Sequence, residues 1–579
     1  MSNRMLRVLF CGFSMAAACA LLATPAMSEL PKYQMKDLGT LGGKSSEGVA
    51  VNAVGQVTGQ AELADGRRHA FIASATQPMQ DLGTLGGPNS IGYAINSAGQ
   101  VTGASDTAQG SIHAFIASAA QRMQDLGTLG GRDSTGIAIN DAGQITGGAD
   151  TADARRHVYI ASSTQPMQDL DTLGTQSSVG NEINNSGLVV GILDTTEGLV
   201  HVFIASAMHS MQDLGTLGGR NGYGVAIDDA GQVTGGADTA DGQMHAFIAS
   251  ATQPMMDLGT LGGEWAEPED INDAGQITGT AENRDKQARA FIGTASPPLH
   301  DLGTLGGSSS RAYDVNNAGQ VTGAATVASG AEHAFVASAT QPMLDLGTLG
   351  GETSIGWAIN DAGQVAGAAA TADGYFHAFR ATPISLLFTM LLEDVTGVGP
   401  GSILTDQVQR AFGYYRDDDG SNTCNTLTGF VALVNTQSGL EIPPAQAAKL
   451  AADAREIQSA VHCGVEQIVI DVKPHASGNG IALTSAKSGN VRVALLGSAA
   501  YDALQVDPES ARFGPGEATA RRSEIQDFNR DGFTDLGLLF RIRDLRLRCG
   551  DQQVTLTAET YAGTALVGTD LVHAWKCHK

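Results

Sequence analysis

One heptapeptide returns at a fixed interval along most of the chain. Asp-Leu-Gly-Thr-Leu-Gly-Gly, or a close variant, begins at Asp37, Asp81, Asp125, Asp169, Asp213, Asp257, Asp301 and Asp345, always 44 residues apart. Other markers keep the same phase. Asn52, Asn96, Asn140, Asn184, Asp228, Asn272, Asn316 and Asn360 stand in an Ile-Asn-like step ahead of Gly-Gln-Val-Thr-Gly or a variant of it. A His-Ala-Phe-like step follows each time, from His69 to His377, with Arg289 in place of histidine in the sixth copy. A period of about 40 to 50 residues marks stacked supersecondary units, none of which buries its apolar face alone.

Within one copy, short apolar runs at 48–52, 56–61, 69–75 and 78–82 alternate loosely with polar residues, separated by Ala-Val-Gly, Ala-Asp-Gly and Ala-Thr-Gln steps. The pattern predicts four short strands per unit, which is the plan of a β-propeller blade. The ends of the array carry the argument further. Residues 33–38 match the last strand of a unit with no preceding three, and the eighth copy stops after its third strand, at Phe379. A strand from the N-terminal end that completes the last unit would close a ring and remove its open edges. The sequence therefore predicts a mainly β chain with an eight-bladed β-propeller over residues 33–384, whereas an open solenoid leaves the mismatched ends unexplained.

The repeat resembles the HAF family of extracellular repeats of bacterial exported proteins, on the strength of the Asp-Leu-Gly, Ile-Asn, Gly-Gln-Val and His-Ala-Phe steps recurring eight times in phase. The resemblance covers about 350 residues and implies export without an established activity. The chain departs from the pattern at Asp171, Gly174-Thr175 and Gly187-Leu188 in the fourth unit, and at Pro268 and Arg289 in the sixth.

Export is also written at the N-terminus. A basic start at Arg4 and Arg7, an apolar stretch over 8–23 and small residues before Glu29 make residues 1–28 a secretory signal peptide. No later segment approaches the 18 apolar residues of a spanning helix. The mature chain is expected to be secreted, extracellular or periplasmic. It keeps Cys424, Cys463, Cys549 and Cys577, and an even number in an exported protein favours two disulfides with three possible pairings. Cys424–Cys463 and Cys549–Cys577 are preferred because each closes a loop within one predicted domain. The formal net charge of -26 disfavours nucleic acid and anionic membrane surfaces as partners.

A residue present eight times by symmetry serves what every unit needs, whereas an active site needs one asymmetric constellation. The recurring Asp, Asn and His are therefore expected to be structural, the Asp and Asn at turns where a side-chain oxygen takes backbone N–H groups. Ligand binding should lie where the repeat varies, in the stretch after each Gly-Gly, expected to be a loop that leads into the next blade. Tyr93, Tyr313 and Trp357 occupy one repeat position there, with Tyr223 and Trp265 close by and Glu264, Glu267, Glu269 and Asp270 adjacent. Aromatics beside carboxylates on one face of a disc suit carbohydrate or protein contacts.

Beyond residue 384 the composition changes. Helical spacing over 386–395, 402–415, 426–437 and 444–462 predicts a small α-helical module at 385–464, with Gly439 placed to end one helix and Pro443-Pro444 to open the last. The stretch 429–435 with 438–454 resembles the FIMAH-type modules of bacterial surface proteins. From 465 to 579 the chain turns β-rich. Ile470-Asp471-Val472-Lys473-Pro474, Val493-Ala494-Leu495-Leu496-Gly497 and Arg512-Phe513-Gly514-Pro515 resemble a β-sandwich that often ends bacterial exported proteins.

That segment holds Asp527-Phe528-Asn529-Arg530-Asp531-Gly532-Phe533-Thr534-Asp535. Oxygen side chains at positions 1, 3, 5 and 9, a carbonyl at 7 and glycine at 6 are the elements of a calcium loop. Leu538 stands where an EF-hand has its bidentate Glu, so the resemblance is to calcium loops of the thrombospondin or dockerin kind. It implies a structural Ca2+ held by Asp527, Asn529, Asp531, Phe533 and Asp535.

Together these readings predict an exported, non-catalytic binding or adhesion protein whose partner is an extracellular polysaccharide or surface protein. No Ser-His-Asp signature, phosphate loop or metalloprotease motif is present. The alternatives are a polysaccharide-acting enzyme using Glu267 and Glu269 as acid and base, and a purely structural component of the cell surface.

Overall fold

The structure, a computed structural model, describes residues 32–74, 77–399, 401–474, 480–483, 489–498, 501–547, 549–561 and 565–575. The expected signal peptide at 1–28 and Cys577 lie outside the described residues. The chain is mainly β, with four helices between its two β regions.

Each 44-residue copy folds into an antiparallel four-stranded unit. In unit 1 the strands are Gly42–Val51, Val57–Leu63, Arg68–Ala73 and Gln80–Asp81, paired in that order. The first strand starts at the Gly-Gly step, so the stretch expected to be a loop is the opening half of a ten-residue strand. The reason is local. A backbone with small residues pairs cleanly with the second strand, Ser46 opposite Ala61 and Glu47 opposite Gln60.

The last unit is completed from the other end of the array. Its strands Gly350–Ile359, Val365–Thr371 and Phe376–Pro383 are joined by Tyr33–Asp37, which runs antiparallel to Phe376–Pro383 with Tyr33 opposite Pro383 and Asp37 opposite Phe379. Ala378 also donates its amide to Ser46 Oγ of unit 1 at 2.8 Å. The array is thus closed on itself.

The apolar cores lie between units. Ala70, Ile72 and Leu82 of unit 1 cluster with Val101, Phe115 and Ala117 of unit 2, and Val57 and Phe71 of unit 1 cluster with Ala366 and Ala378 of the last. The aromatic of each His-Ala-Phe step, from Phe71 to Phe379 with Tyr159 in the third unit, is fully buried. Each such burial contributes about 1.5–3 kcal/mol, but only when a neighbouring unit is present, which makes the repeats mutually dependent.

One irregularity recurs in all eight first strands. A β-bulge falls after the same repeat position and leaves one residue unpaired: Val49, Tyr93, Ile137, Asn181, Val225, Glu269, Tyr313 and Trp357 in turn. The second-strand glycine facing it is obligatory, since a Cβ on Gly59 would stand 1.9 Å from the Glu47 carbonyl oxygen. A bulge re-aims its side chain, and here it does so at one level of every unit.

The helices are α1 (Ile384–Val395), α2 (Ile403–Arg416), α3 (Gly420–Gln437) and α4 (Pro444–Ala460), packed around a shared core that includes Phe388, Val408, Phe430 and Leu450. The third starts six residues earlier than its apolar spacing suggests, because Asp419 caps it by accepting the Asn422 amide at 3.0 Å. That also gives Asp417-Asp418-Asp419-Gly420 a structural role. Cys424 and Cys463 form the expected disulfide, with Cα atoms 5.3 Å apart, tying α3 to the residue beyond α4. The partner expected for Cys549 is Cys577, outside the described residues.

The C-terminal region has two sheets over one core. Ile470–Val472, Asn490–Leu495, Asp535–Arg541 and Arg522–Gln526 form one, and Val506–Phe513, Gly550–Thr560 and Ala565–Trp575 are the main strands of the other. Val493, Leu538 and Phe540 of the first meet Phe513 and Leu556 of the second. Among the described residues no helix is long and apolar enough to cross a membrane.

Candidate functional site

The repeated polar residues are occupied in holding the array together. His69 Nδ1 lies 2.9 Å from both Asp81 carboxylate oxygens, and the same pairing recurs from His113 with Asp125 to His377 with Asp37. The aspartate also accepts the amide of the glycine two residues on, Gly83 to Asp81 at 2.7 Å. In the sixth unit Arg289 takes the place of histidine and sits 3.8 Å from Asp301. The position therefore calls for a donor to aspartate.

The asparagines form a chain of hydrogen bonds from unit to unit. Asn52 Nδ2 donates to the Asn96 carbonyl at 3.0 Å, Asn96 to Asn140, Asn140 to Asn184 and Asn184 to Asp228. Asn272 continues to Asn316, Asn316 to Asn360, and Asn360 returns to Asn52 at 2.8 Å. The series is broken at Asp228, which has no amide hydrogen to give. Its Oδ1 accepts the Gln232 amide at 2.7 Å, and its buried Oδ2 has no partner among the described residues.

The position just after each bulge is alanine in five units and a carboxylic acid in three: Glu182, Asp270 and Asp314. Each accepts the amide of the following unit, from Ile227 at 2.7 Å, Val315 at 3.0 Å and Ile359 at 2.6 Å. Asp270 and Asp314 also stand beside one another, and repulsion between two carboxylates favours keeping a proton on Asp270. Burial pushes the Glu182 carboxyl up to about 8, with Asp314, Asp229 and Asp228 adding repulsion. Burial likewise raises Asp270 well above the carboxylate range, and raises Asp314. Glu182 and Asp314 belong to units that are not neighbours, so they sense each other across the centre of the array. The three residues are part-buried, with only a minor share of their surface open to water. Sequence reasoning found only Asp270 of the three. The signal available was an alanine column interrupted by three acids.

The five aromatic residues singled out from the sequence all lie on first strands and not on loops. Tyr93, Tyr313 and Trp357 are bulge residues. Tyr313 and Trp357, from consecutive units, meet with ring centroids 4.7 Å apart, and the Trp357 Nε1 is buried without a partner among the described residues. Tyr223 and Trp265 precede their bulges by two and four residues on other units. The structure therefore does not gather the five into one site.

It places Tyr93 instead in a cleft of about 470 Å³ between units 1 and 2, with Asn89, Asp106 and Ile112 of unit 2 and Gln60 and Arg68 of unit 1. A second cleft, about 390 Å³, lies between the last unit and the first, where Ile355, Tyr375 and Phe376 face Glu47, Gln60 and Arg68. The aromatic walls are open, with Tyr93 37% exposed, Tyr375 38% and Phe376 41%. Such amphipathic walls offer an apolar face for stacking and polar groups for directed hydrogen bonds. Tyr375, Phe376 and Arg68 could have been noticed in the sequence only as departures from the repeat at its second turn.

In the C-terminal region the 527–535 loop is held by its own amides. Asp527 accepts from Arg530 and Gly532 at 2.7 and 3.0 Å, Asn529 from Asp531 at 3.1 Å, and Asp531 from Phe533 at 2.9 Å. Asp535 is fully buried and accepts the amides of Gly497 and Phe528 at 2.8 and 2.7 Å. Among the described residues no group of three or more His, Cys, Asp or Glu is placed to hold a metal ion. The donors at Asp527, Asn529 and Asp531 suit calcium in type, and a carboxylate oxygen that accepts one amide keeps a further lone pair.

No family model matches the chain, and no curated protein sequence does. Among solved structures it is similar to the BP39L lectin of Burkholderia pseudomallei, at 9% identity over 54% of this chain and 98% of that one, with a TM-score of 0.29. It is similar to TolB of Acinetobacter baumannii at 9% identity over 42% and 61%, with a TM-score of 0.30. It is also similar to the Aleuria aurantia lectin AAL at 9% identity over 46% and 98%, with a TM-score of 0.23.

Proposed function

We propose that the chain is an exported, non-catalytic carbohydrate-binding protein whose repeat array is an eight-bladed β-propeller, with ligand taken up in clefts between neighbouring blades. The observation that carries this reading is the cleft between units 1 and 2, where exposed Tyr93 faces the polar side chains of Gln60, Arg68, Asn89 and Asp106. A sugar ring has a C–H face and a hydroxyl rim, and such a wall complements both. The calcium loop belongs to the same reading, with Asp527, Asn529, Asp531 and the Phe533 carbonyl as ligands and Asp535 fixing the loop. Export fits a chain that carries the Cys424–Cys463 disulfide.

The test is to incubate the purified mature chain with immobilised xylan, amylose, galactan, alginate and peptidoglycan, scoring retention and soluble products in the same tubes. Retention without products is the expected result, and no retention on any of them would reject the reading. A second reading, polysaccharide hydrolysis, has one observation in its favour: Asp270 and Asp314 are neighbouring carboxyls that burial raises to different extents, Asp270 well above the carboxylate range, so one can act as acid and the other as base. Soluble products abolished by Asp314→Asn would establish it and displace Glu267 and Glu269 from those roles.

A further inference from the structure

We propose that the clefts on the two sides of unit 1 form one continuous site, and that its ligand is a carbohydrate chain of at least two sugars lying across the unit with Arg68 and Gln60 between them. The proposal rests on the carbohydrate-binding reading above and adds to it the length and placement of the ligand.

Arg68 and Gln60 line both clefts, so no wall of protein other than these two side chains is common to the sites. Each cleft supplies its own exposed aromatic, Tyr93 on one side and Phe376 on the other. The carboxylates around them already have donors. Glu47 accepts from Gln60 Nε2 at 3.2 Å, Glu62 from Ser45 Oγ at 2.9 Å, and Asp106 from the Asn89 amide and side chain at 3.2 and 3.1 Å. The exposed Arg68 guanidinium makes no ion pair or hydrogen bond among the described residues. Its counterpart two units beyond, Arg156 in unit 3, is engaged, bonding Asp150 at 3.0 Å and Thr135 Oγ1 at 3.1 Å. The remaining units carry Ile112, Val200, Met244, Ala288, Glu332 and Phe376 at this position. Of the two arginines at this repeat position, Arg68 is therefore the one whose guanidinium has no partner among the described residues, and it stands where two stacking surfaces meet. Five N–H donors in a fixed fork can serve hydroxyls on both sides at once. Two contiguous subsites also raise affinity through the effective concentration of the second sugar once the first is bound.

The test measures binding of gluco-, xylo-, manno- and galacto-oligosaccharides of one to six sugars by calorimetry, on the native chain and on Tyr93→Ala, Phe376→Ala and Arg68→Ala. The expected result for the series that binds is a rise in affinity of 100-fold or so from one sugar to three, with tenfold or greater losses in both aromatic variants and in the arginine variant. Affinity that does not depend on chain length overturns the proposal while leaving the carbohydrate reading intact. So does a loss confined to one aromatic variant. Failure of every oligosaccharide to bind, together with no retention on the immobilised polysaccharides, rejects both. The length series on the native chain decides the matter even if a variant does not fold.

Discussion

The side-chain amide of Asn360 donates to the carbonyl of Asn52 at 2.8 Å, joining the last repeat unit to the first across 308 residues of chain. The same bond links consecutive units elsewhere in the array, so ring closure uses no special contact. It reuses the contact that every unit but the fifth makes with the next, and it depends on Tyr33–Asp37 completing the final sheet.

The break in that series at Asp228 yields the first prediction. Asp228→Asn restores the missing donor and relieves a buried oxygen without a partner among the described residues, and should stabilise the array by about 1 kcal/mol in urea unfolding near neutral pH. Asn360→Ala removes the closing bond and strands the amides of Ala362 and Gln364, which donate to Asn360 Oδ1 at 3.1 and 2.9 Å. It should destabilise by roughly 1–3 kcal/mol.

Stability should fall as pH rises from about 4.5 toward 8. The unfolded chain releases the protons of Glu182, Asp270 and Asp314 near ordinary carboxylate values, while the folded chain holds them to higher pH, Glu182 to about 8. Between these limits the folded state binds more protons, so deprotonation favours unfolding. Urea midpoints measured across this range should decline for the native chain and decline less for Glu182→Gln. Equal slopes would mean that the central carboxylates are not the groups responsible.

Calcium should raise the melting temperature of the C-terminal sheets, and Asp531→Ala should abolish the rise. Asp535→Ala should lower the melting temperature with or without calcium, because it strands the amides of Gly497 and Phe528 in a buried setting. Differential scanning calorimetry with calcium and with chelator separates the two effects. A melt indifferent to calcium removes the metal from the account and leaves the Asp535 prediction standing.

Cys424→Ser should destabilise the helical module by roughly 2–4 kcal/mol, since the disulfide closes a 39-residue separation and restrains the unfolded chain. Hydrogen exchange in α3 and α4 should report it. Exchange in the repeat units should be unchanged, because their cores contain no residue of the module.

Much of the fold was legible because it is local and repeated. The period gave the units, the apolar runs gave four strands apiece, and the unmatched segments at either end gave closure through residues 33–38, which the pairing of Tyr33–Asp37 bears out. The helices and the Cys424–Cys463 pair were legible for the same reason, since spacing and loop length decide them. What misled was the variability after each Gly-Gly. It reads as loop, but strand pairing is made by the backbone and accepts Ser45, Trp265 or Thr353 alike at one part-buried position of the first strand.

The candidate site was less legible. Tyr93 was identified, whereas Arg68 and Gln60 lie far enough back in the preceding unit that only the packing of two units brings them beside it. Glu182, Asp270 and Asp314 show the limit most clearly. Sequence by itself determined that three acids interrupt a column of alanines, because composition and period are properties of the chain. Only the tertiary structure decided that they meet, since closing the array turns one repeat position into a single ring whose non-neighbouring members face each other through a medium where their charges are poorly screened.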